Sequence, residues 1–442
     1  MGDSQRTRCS GDRSNDFSRM AIIGYILAFL LICGTYVVYY VCPGGGHTYI
    51  SVDGRNNYVH MFDSVHILTS AWPPAPYGTR VLQPFLALIV SALAHVSKFG
   101  AYKITVPIEL AASLLLLGRI IRRRNRSHVW LISILVGIGL PLAVFYGSSD
   151  VQVDPLLLLM SCAVLDALDV GQIGWGLVFA CLGVLTKEYG IFLGLAWGAY
   201  AARRHVRYAI LIGLSAVVIP ILVTFLALPR ATAGLFAHSS RHSAGTFLFL
   251  LTYPIRSFED AGPTVWLTQS YKSAWFVLWP AIVLAAAFAF SIARGRGEVS
   301  GKRIAQGQAV PSTTDGSQPE AVRRSSVNLQ TDCIVFGWVA LSTPLLLLGG
   351  WERSFLLLFP FAIAVCSWHP LSRDRLFAAL IGIGGASIAL ERPLGSIDAP
   401  HHHPLQSLFI VVNFAATLAL LIRAIQVRAR RDTLRGRDPE SN

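Results

Sequence analysis

Apolar runs set the pattern of this chain. They occupy 20–41, 81–97, 104–121, 129–146, 155–170, 172–186, 189–202, 208–228, 274–293, 333–350, 354–368, 376–390 and 405–423, with short polar connections between them. Many approach the ~20 residues that carry a helix across a bilayer. The pattern predicts an all-α polytopic membrane protein. Two stretches interrupt it. Residues 42–80 form a polar, aromatic and carboxylate-bearing loop directly after the first run. Residues 294–331 are rich in Gly, Ser, Gln and Pro without apolar periodicity, which predicts a disordered linker between two helix groups.

Charge decides which runs cross, because short cytoplasmic loops collect Lys and Arg. If every run spans, the cluster Arg119, Arg122, Arg123, Arg124 and Arg126 falls outside, with Arg203, Arg204, Arg207 and the basic tail from Arg423 to Arg437. If 81–97 lies in or dips into the outer interface instead, all of these move inside together with Arg294, Arg296, Lys302, Arg303, Arg373 and Arg375. The run itself supports this, since it opens on the motif ending at Pro84 and closes at the turn Ser97-Lys98-Phe99-Gly100. The expected topology has about twelve spanning helices, both termini cytoplasmic, with 20–41 as a signal anchor. Runs 172–186 and 189–202 are short. Two short helices meeting below the outer surface preserve the charge map, whereas one long helix with Lys187 and Glu188 at its middle reverses it.

Composition agrees with the pattern. Hydrophobic residues make up 53% of the chain and charged residues 14%, with a mean hydropathy of +0.54, against about 25% charged in a soluble domain. The net charge of +13 sits in short clusters between apolar runs, so it reads as topology and not as a nucleic-acid surface. The cysteines show no spacing that suggests zinc or a disulfide framework.

With that topology, several ionisable groups face outward or lie just inside the outer boundary, where charge is costly and usually functional. They are Asp53 and Asp63 in the first loop, Asp150 and Asp154 in the second, Lys187 and Glu188 in the third turn, and Glu352 and Arg353 in the fifth. The loop 229–273 adds His238, Arg241 and His242. A lipid phosphate calls for the cations, and a hydroxyl acceptor calls for a carboxylate base. Asp154 precedes Pro155 at a helix start, where an N-cap role is also adequate. Asp166 and Asp169 fall near the cytoplasmic end of their helix, where solvation suffices, and Glu109 lies within a run. His401, His402 and His403 read as a polar loop, since adjacent residues rarely converge on one ion.

Four motifs in order, Asp53-Gly54-Arg55-Asn56-Asn57-Tyr58-Val59-His60-Met61, Arg80-Val81-Leu82-Gln83-Pro84, Asp154-Pro155-Leu156 and Leu185-Thr186-Lys187-Glu188, give the chain a resemblance to the polytopic GT-C glycosyltransferases. That group includes protein O-mannosyltransferases and the aminoarabinose and arabinofuranosyl transferases. The likeness runs to about residue 205. It implies a catalytic transmembrane module over 1–293 with interfacial helices in its first outer loop, the linker 294–331, and C-terminal helices with a basic tail over 332–442. It implies a polyprenyl-phosphate sugar donor, a glycan, lipid or protein acceptor, and an extracytoplasmic site in a bacterial plasma membrane. Asp53 takes the position of the first-loop acid as general base, and Asp154 that of the second-loop acid. Arg80, Tyr58, Lys187, Glu188, Arg353 and Arg241 are the substrate-binding candidates. A divalent cation held by Asp53 and Asp154 stays open as a cofactor. The chain departs from the pattern in lacking an acidic neighbour after Asp53 and a large soluble C-terminal domain. Two alternatives remain. One is an O-antigen ligase or polymerase centred on Arg241 and His242; the other is a transporter or lipid-sugar flippase, which needs ionisable groups near the bilayer midplane.

Overall fold

The computed structural model describes residues 58–59, 61–62, 80–125, 127–141, 153–187, 190–202, 211–212, 360, 363–364, 367, 370–394 and 404–435. These residues form helices and turns, with no strand among them. The runs 20–41, 274–293 and 333–350, the linker 294–331 and all of 208–228 except 211–212 lie outside the described residues. Among those described, one helix, Lys98–Arg124, is long and apolar enough to cross a membrane, which is compatible with membrane association.

Local chemistry accounts for the element boundaries. Helix α1, Leu82–Ala94, ends where His95 takes a left-handed conformation with φ of 53° and the Ser91 hydroxyl donates to the Val96 carbonyl at 2.6 Å. Helix α2, Lys98–Arg124, starts at Ser97, whose side chain accepts from the Gly100 N–H at 3.0 Å. Its last turn carries Arg122, Arg123 and Arg124, the sign that complements a helix C-terminus. Helix α3, His128–Ile134, is capped by Ser127 and runs into a π-helical turn at Leu135–Gly139. Helix α4, Asp154–Val170, has a proline in its first turn and ends at Gly171 with φ of 83°, a conformation that favours glycine.

The short runs 172–186 and 189–202 are two helices, as the charge map predicts: α5, Ile173–Thr186, and α6, Ile191–Ala202. Lys187 between them is extended, with φ of −164°. Gly190 permits the tight hairpin, since a Cβ there would overlap the Gly183 backbone. Tyr200 donates to the Leu168 carbonyl and Trp197 to the Ile173 carbonyl, each at 2.7 Å, tying α6 to the α4–α5 turn. A 3₁₀ turn at Pro370–Arg373 leads into α7, Arg375–Leu394, which packs against α3 and against α8, Pro404–Arg435.

A large apolar core links α2 to α7, built on Ile120, Trp130, Ile134, Leu157, Leu165 and Ile381 among others, all buried. A smaller cluster joins Tyr58, Met61, Ala87, Ala101, Tyr102 and Val153. Here α1 packs along the first half of α2, fixed by Gln83, whose amide donates to Thr105 Oγ1 at 3.1 Å. The interfacial element expected at 81–97 is therefore one arm of a helical hairpin, because its buried face has α2 as a partner.

One end of this bundle gathers basic groups. Arg123 pairs with Asp166, Arg124 with Asp169 at 2.5 Å, and Arg423 with Asp374 at 2.7 Å, while Asn125 donates to the Ser372 carbonyl at 3.2 Å. Asp166 and Asp169 are thus ion-paired and mostly buried instead of relying on solvent, because the arginines at the end of α2 lie beside them.

Candidate functional site

At the opposite end, two polar pairs mark the site. Asp154 sits in the first turn of α4 with its side chain 3% exposed, and Lys187 follows α5 with its side chain fully buried. Lys187 Nζ donates to Asp154 Oδ1 at 2.5 Å. The N-cap role expected of Asp154 gives way to this pair: Val153 is the capping residue, without a side-chain hydrogen bond. The charge still lies where the helix dipole favours an anion.

The second pair is Arg80 and Tyr58. Arg80 Nη1 donates to the Tyr58 hydroxyl at 2.7 Å, with both residues buried. Tyr58 belongs to the cluster containing Val153, the residue before Asp154, so the two pairs adjoin through that cluster. Helix α1, which begins two residues after Arg80, also contacts α5. The structure thus brings Arg80, Tyr58, Asp154 and Lys187 to one neighbourhood. Asp53, Glu188, Arg241 and Arg353 lie outside the described residues, as do Asp63 and His242.

The depth of this neighbourhood follows from helix register. Helices α2 and α4 run parallel, since Asp169 meets Arg124 at one end while Val153 shares a cluster with Ala101 and Tyr102 at the other. The arginine–aspartate pairs join residues 43 and 45 apart in sequence. Carrying those offsets back from Asp154 reaches positions 111 and 109 on α2. Glu109 therefore stands at the level of Asp154, about 15 Å along α2 from Arg119 at 1.5 Å per residue.

Glu109 was legible only as an acid within an apolar run. Its neighbours carry a signal that spacing reveals: Tyr102, Thr105 and Glu109 follow the i, i+3, i+7 rule for one helix face. Glu109 is buried, and among the described residues neither carboxyl oxygen has a hydrogen-bond partner. Gln83 faces it from α1, close to hydrogen-bonding range but outside full hydrogen-bond geometry.

Lys187 takes one oxygen of Asp154, and Asp53, the other acid proposed to hold a divalent cation, lies outside the described residues. Among the described residues no three His, Cys, Asp or Glu side chains converge.

The chain matches no protein-family model, no curated protein and no solved structure. The functional reading therefore rests on these residues and on the motif resemblance.

Proposed function

We propose that the chain is a membrane glycosyltransferase of GT-C type, moving a sugar from a polyprenyl-phosphate donor to a hydroxyl acceptor on the extracytoplasmic side. The observation that carries the reading is the buried Asp154–Lys187 pair adjoining Arg80 and Tyr58. Each of the four motifs that carry the resemblance contributes one residue to the Asp154–Lys187 and Arg80–Tyr58 pairs. Burying an ion pair costs desolvation that packing alone does not require. A function for the cations is a sufficient reason to keep it.

In this reading Asp53 takes the proton from the attacking hydroxyl, and the sugar–phosphate bond breaks as the new glycosidic bond forms. Lys187 and Arg80, with Arg353, meet the departing lipid phosphate, which leaves with the bonding electron pair. Asp154 orients the Lys187 ammonium. Glu188 and Tyr58 line the donor. Exposed apolar side chains on several helices, among them Leu93, Ile108, Trp175, Val411 and Phe414, favour a lipid setting.

The test is transfer from a labelled polyprenyl-phosphate sugar in membranes containing the full chain. Asp53→Asn is expected to lose activity by ~10²-fold or more, the scale of a general base. Full activity in that variant sinks the assignment of the base.

A second reading has a specific observation in its favour. Asp154, Lys187 and Glu109 share a level roughly midway through a hydrocarbon layer about 30 Å thick, if α2 spans it. Ionisable groups at that depth also suit a transporter or lipid-sugar flippase. Saturable uptake of a water-soluble substrate into proteoliposomes, without glycosyl transfer, selects this reading.

A further inference from the structure

The layer that holds Asp154 also holds buried polar atoms that the proposed reaction does not use. Glu109 is 5% exposed. Both of its carboxyl oxygens, Gln83 Oε1 and the Tyr102 hydroxyl are buried and have no hydrogen-bond partner among the described residues. Native interiors satisfy nearly all such groups, and each orphan costs stability. Four of them on facing sides of the α1–α2 hairpin constitute an unmet demand for a partner.

The kind of partner follows from the atoms. A carboxyl and a phenol can each accept or donate a hydrogen bond, and an amide carbonyl accepts. An anion is repelled by such a set, whereas neighbouring hydroxyls satisfy it. The residue Tyr58, whose hydroxyl accepts from Arg80, lies in the same cluster as Tyr102.

We propose that Glu109, Gln83 and Tyr102 form a hydroxyl-recognition subsite for the glycosyl ring of a phosphate-linked carbohydrate, whose phosphate Lys187 and Arg80 meet. The phosphate half of this statement rests on the proposed function; the hydroxyl half rests on the buried orphan atoms. Glu109 accepts from two adjacent ring hydroxyls, Gln83 Oε1 accepts from a further one, and Tyr102 donates to a ring or hydroxyl oxygen.

The experiment measures binding to the full chain in nanodiscs. The probes are farnesyl phosphate, its hexosyl and pentosyl esters, and the corresponding methyl glycosides, which lack phosphate. The wild-type chain is expected to prefer at least one ester over bare farnesyl phosphate by about tenfold or more, since a site built to bond hydroxyls discriminates strongly against their absence. Glu109→Gln and Glu109→Leu are expected to erase that preference while leaving the affinity for bare farnesyl phosphate unchanged. Lys187→Gln is expected to weaken bare farnesyl phosphate. A preference that survives in both Glu109 variants, or no preference for any ester, overturns the subsite. Binding of farnesyl phosphate that ignores Lys187 overturns the phosphate reading alone, and Glu109-dependent binding of a methyl glycoside then still upholds the subsite. Both Glu109 variants are expected to melt at or above the wild-type temperature. A fall in both would mean that Glu109 has a structural partner, which also overturns the proposal.

Discussion

Asp154 and Lys187, 33 residues apart in sequence, meet as a buried ion pair with Nζ and Oδ1 separated by 2.5 Å. The chain spends a helix start and a two-helix hairpin on making this contact. Helix α4 begins at Asp154, and α5 stops at Thr186 so that extended Lys187 turns back toward it.

The pair predicts an asymmetry between breaking it and replacing it. Asp154→Asn removes the carboxylate that Lys187 is seen to bond and is expected to lower stability by up to about 3–5 kcal/mol. The double change Asp154→Leu with Lys187→Met removes both charges and is expected to recover most of that loss, yet to remain inactive. Thermal unfolding in detergent alongside sugar transfer checks both. An active double variant would reduce the pair to a structural device.

A pH dependence follows from the other end. Burial works to raise the Asp374 carboxyl, but hydrogen bonds from Arg423 and from the Phe377 N–H outweigh it and hold the group below its ordinary range. A folded-state value below the unfolded one means stability present above the unfolded value and lost as pH falls through the folded value. The Arg423–Asp374 clamp between α7 and α8 is therefore expected to weaken only on strong acidification. The melting temperature of Asp374→Asn should be lower than wild type at neutral pH, and the difference should shrink in acid. A constant difference across that range would remove Asp374 from the acid response.

How much of this was written in the sequence varies by element. Helix limits near Ser97, Pro155 and Gly171 were readable because turn and first-turn residues act locally, whereas Gly190 fell inside the run 189–202. The two-helix reading of 172–202 came instead from the charge map, which one long helix would have reversed. The partners of Asp154, Asp166 and Asp169 were not, because each depends on the register of one helix against another 33 to 45 residues away. Glu109 joined the site only once that register was known. Asp53, Glu188, Arg241 and Arg353 lie outside the described residues, so their part in the site rests on the motif order alone.

Helix packing yields a stability prediction with its own control. A Cβ on Gly385 would overlap the carbonyl of Gly137, and one on Gly137 would overlap the carbonyl of Ile381, so α3 and α7 approach backbone to backbone at the π turn. Gly385→Ala is expected to cost about 1–3 kcal/mol through overpacking. Gly174, exposed in α5 with nothing within 4 Å of its would-be Cβ, should gain roughly 0.5–1 kcal/mol as Gly174→Ala. Equal melting temperatures for the two variants would mean that α3 and α7 stand farther apart.

The basic end of the bundle predicts which side of a membrane it faces. Arg119, Arg122, Arg123 and Arg124 close α2 beside the α4–α5 turn, and Arg423 of α8 joins Asp374 near the Asn125–Ser372 contact at this end. The α1–α2 turn lies at the other end of α2, about 40 Å away for 27 residues of helix. The positive-inside rule predicts a cytoplasmic arginine end and an α1–α2 turn on the outer side. The check uses a cysteine-free background with one cysteine restored, at exposed Ala94 in one variant and at exposed Gln172 in the other. In intact cells an impermeant maleimide should label Ala94→Cys and spare Gln172→Cys until the membrane is permeabilised. Labelling of both from one side would mean that α2 does not cross, and the opposite order would put the α1–α2 turn in the cytoplasm and overturn the extracytoplasmic assignment.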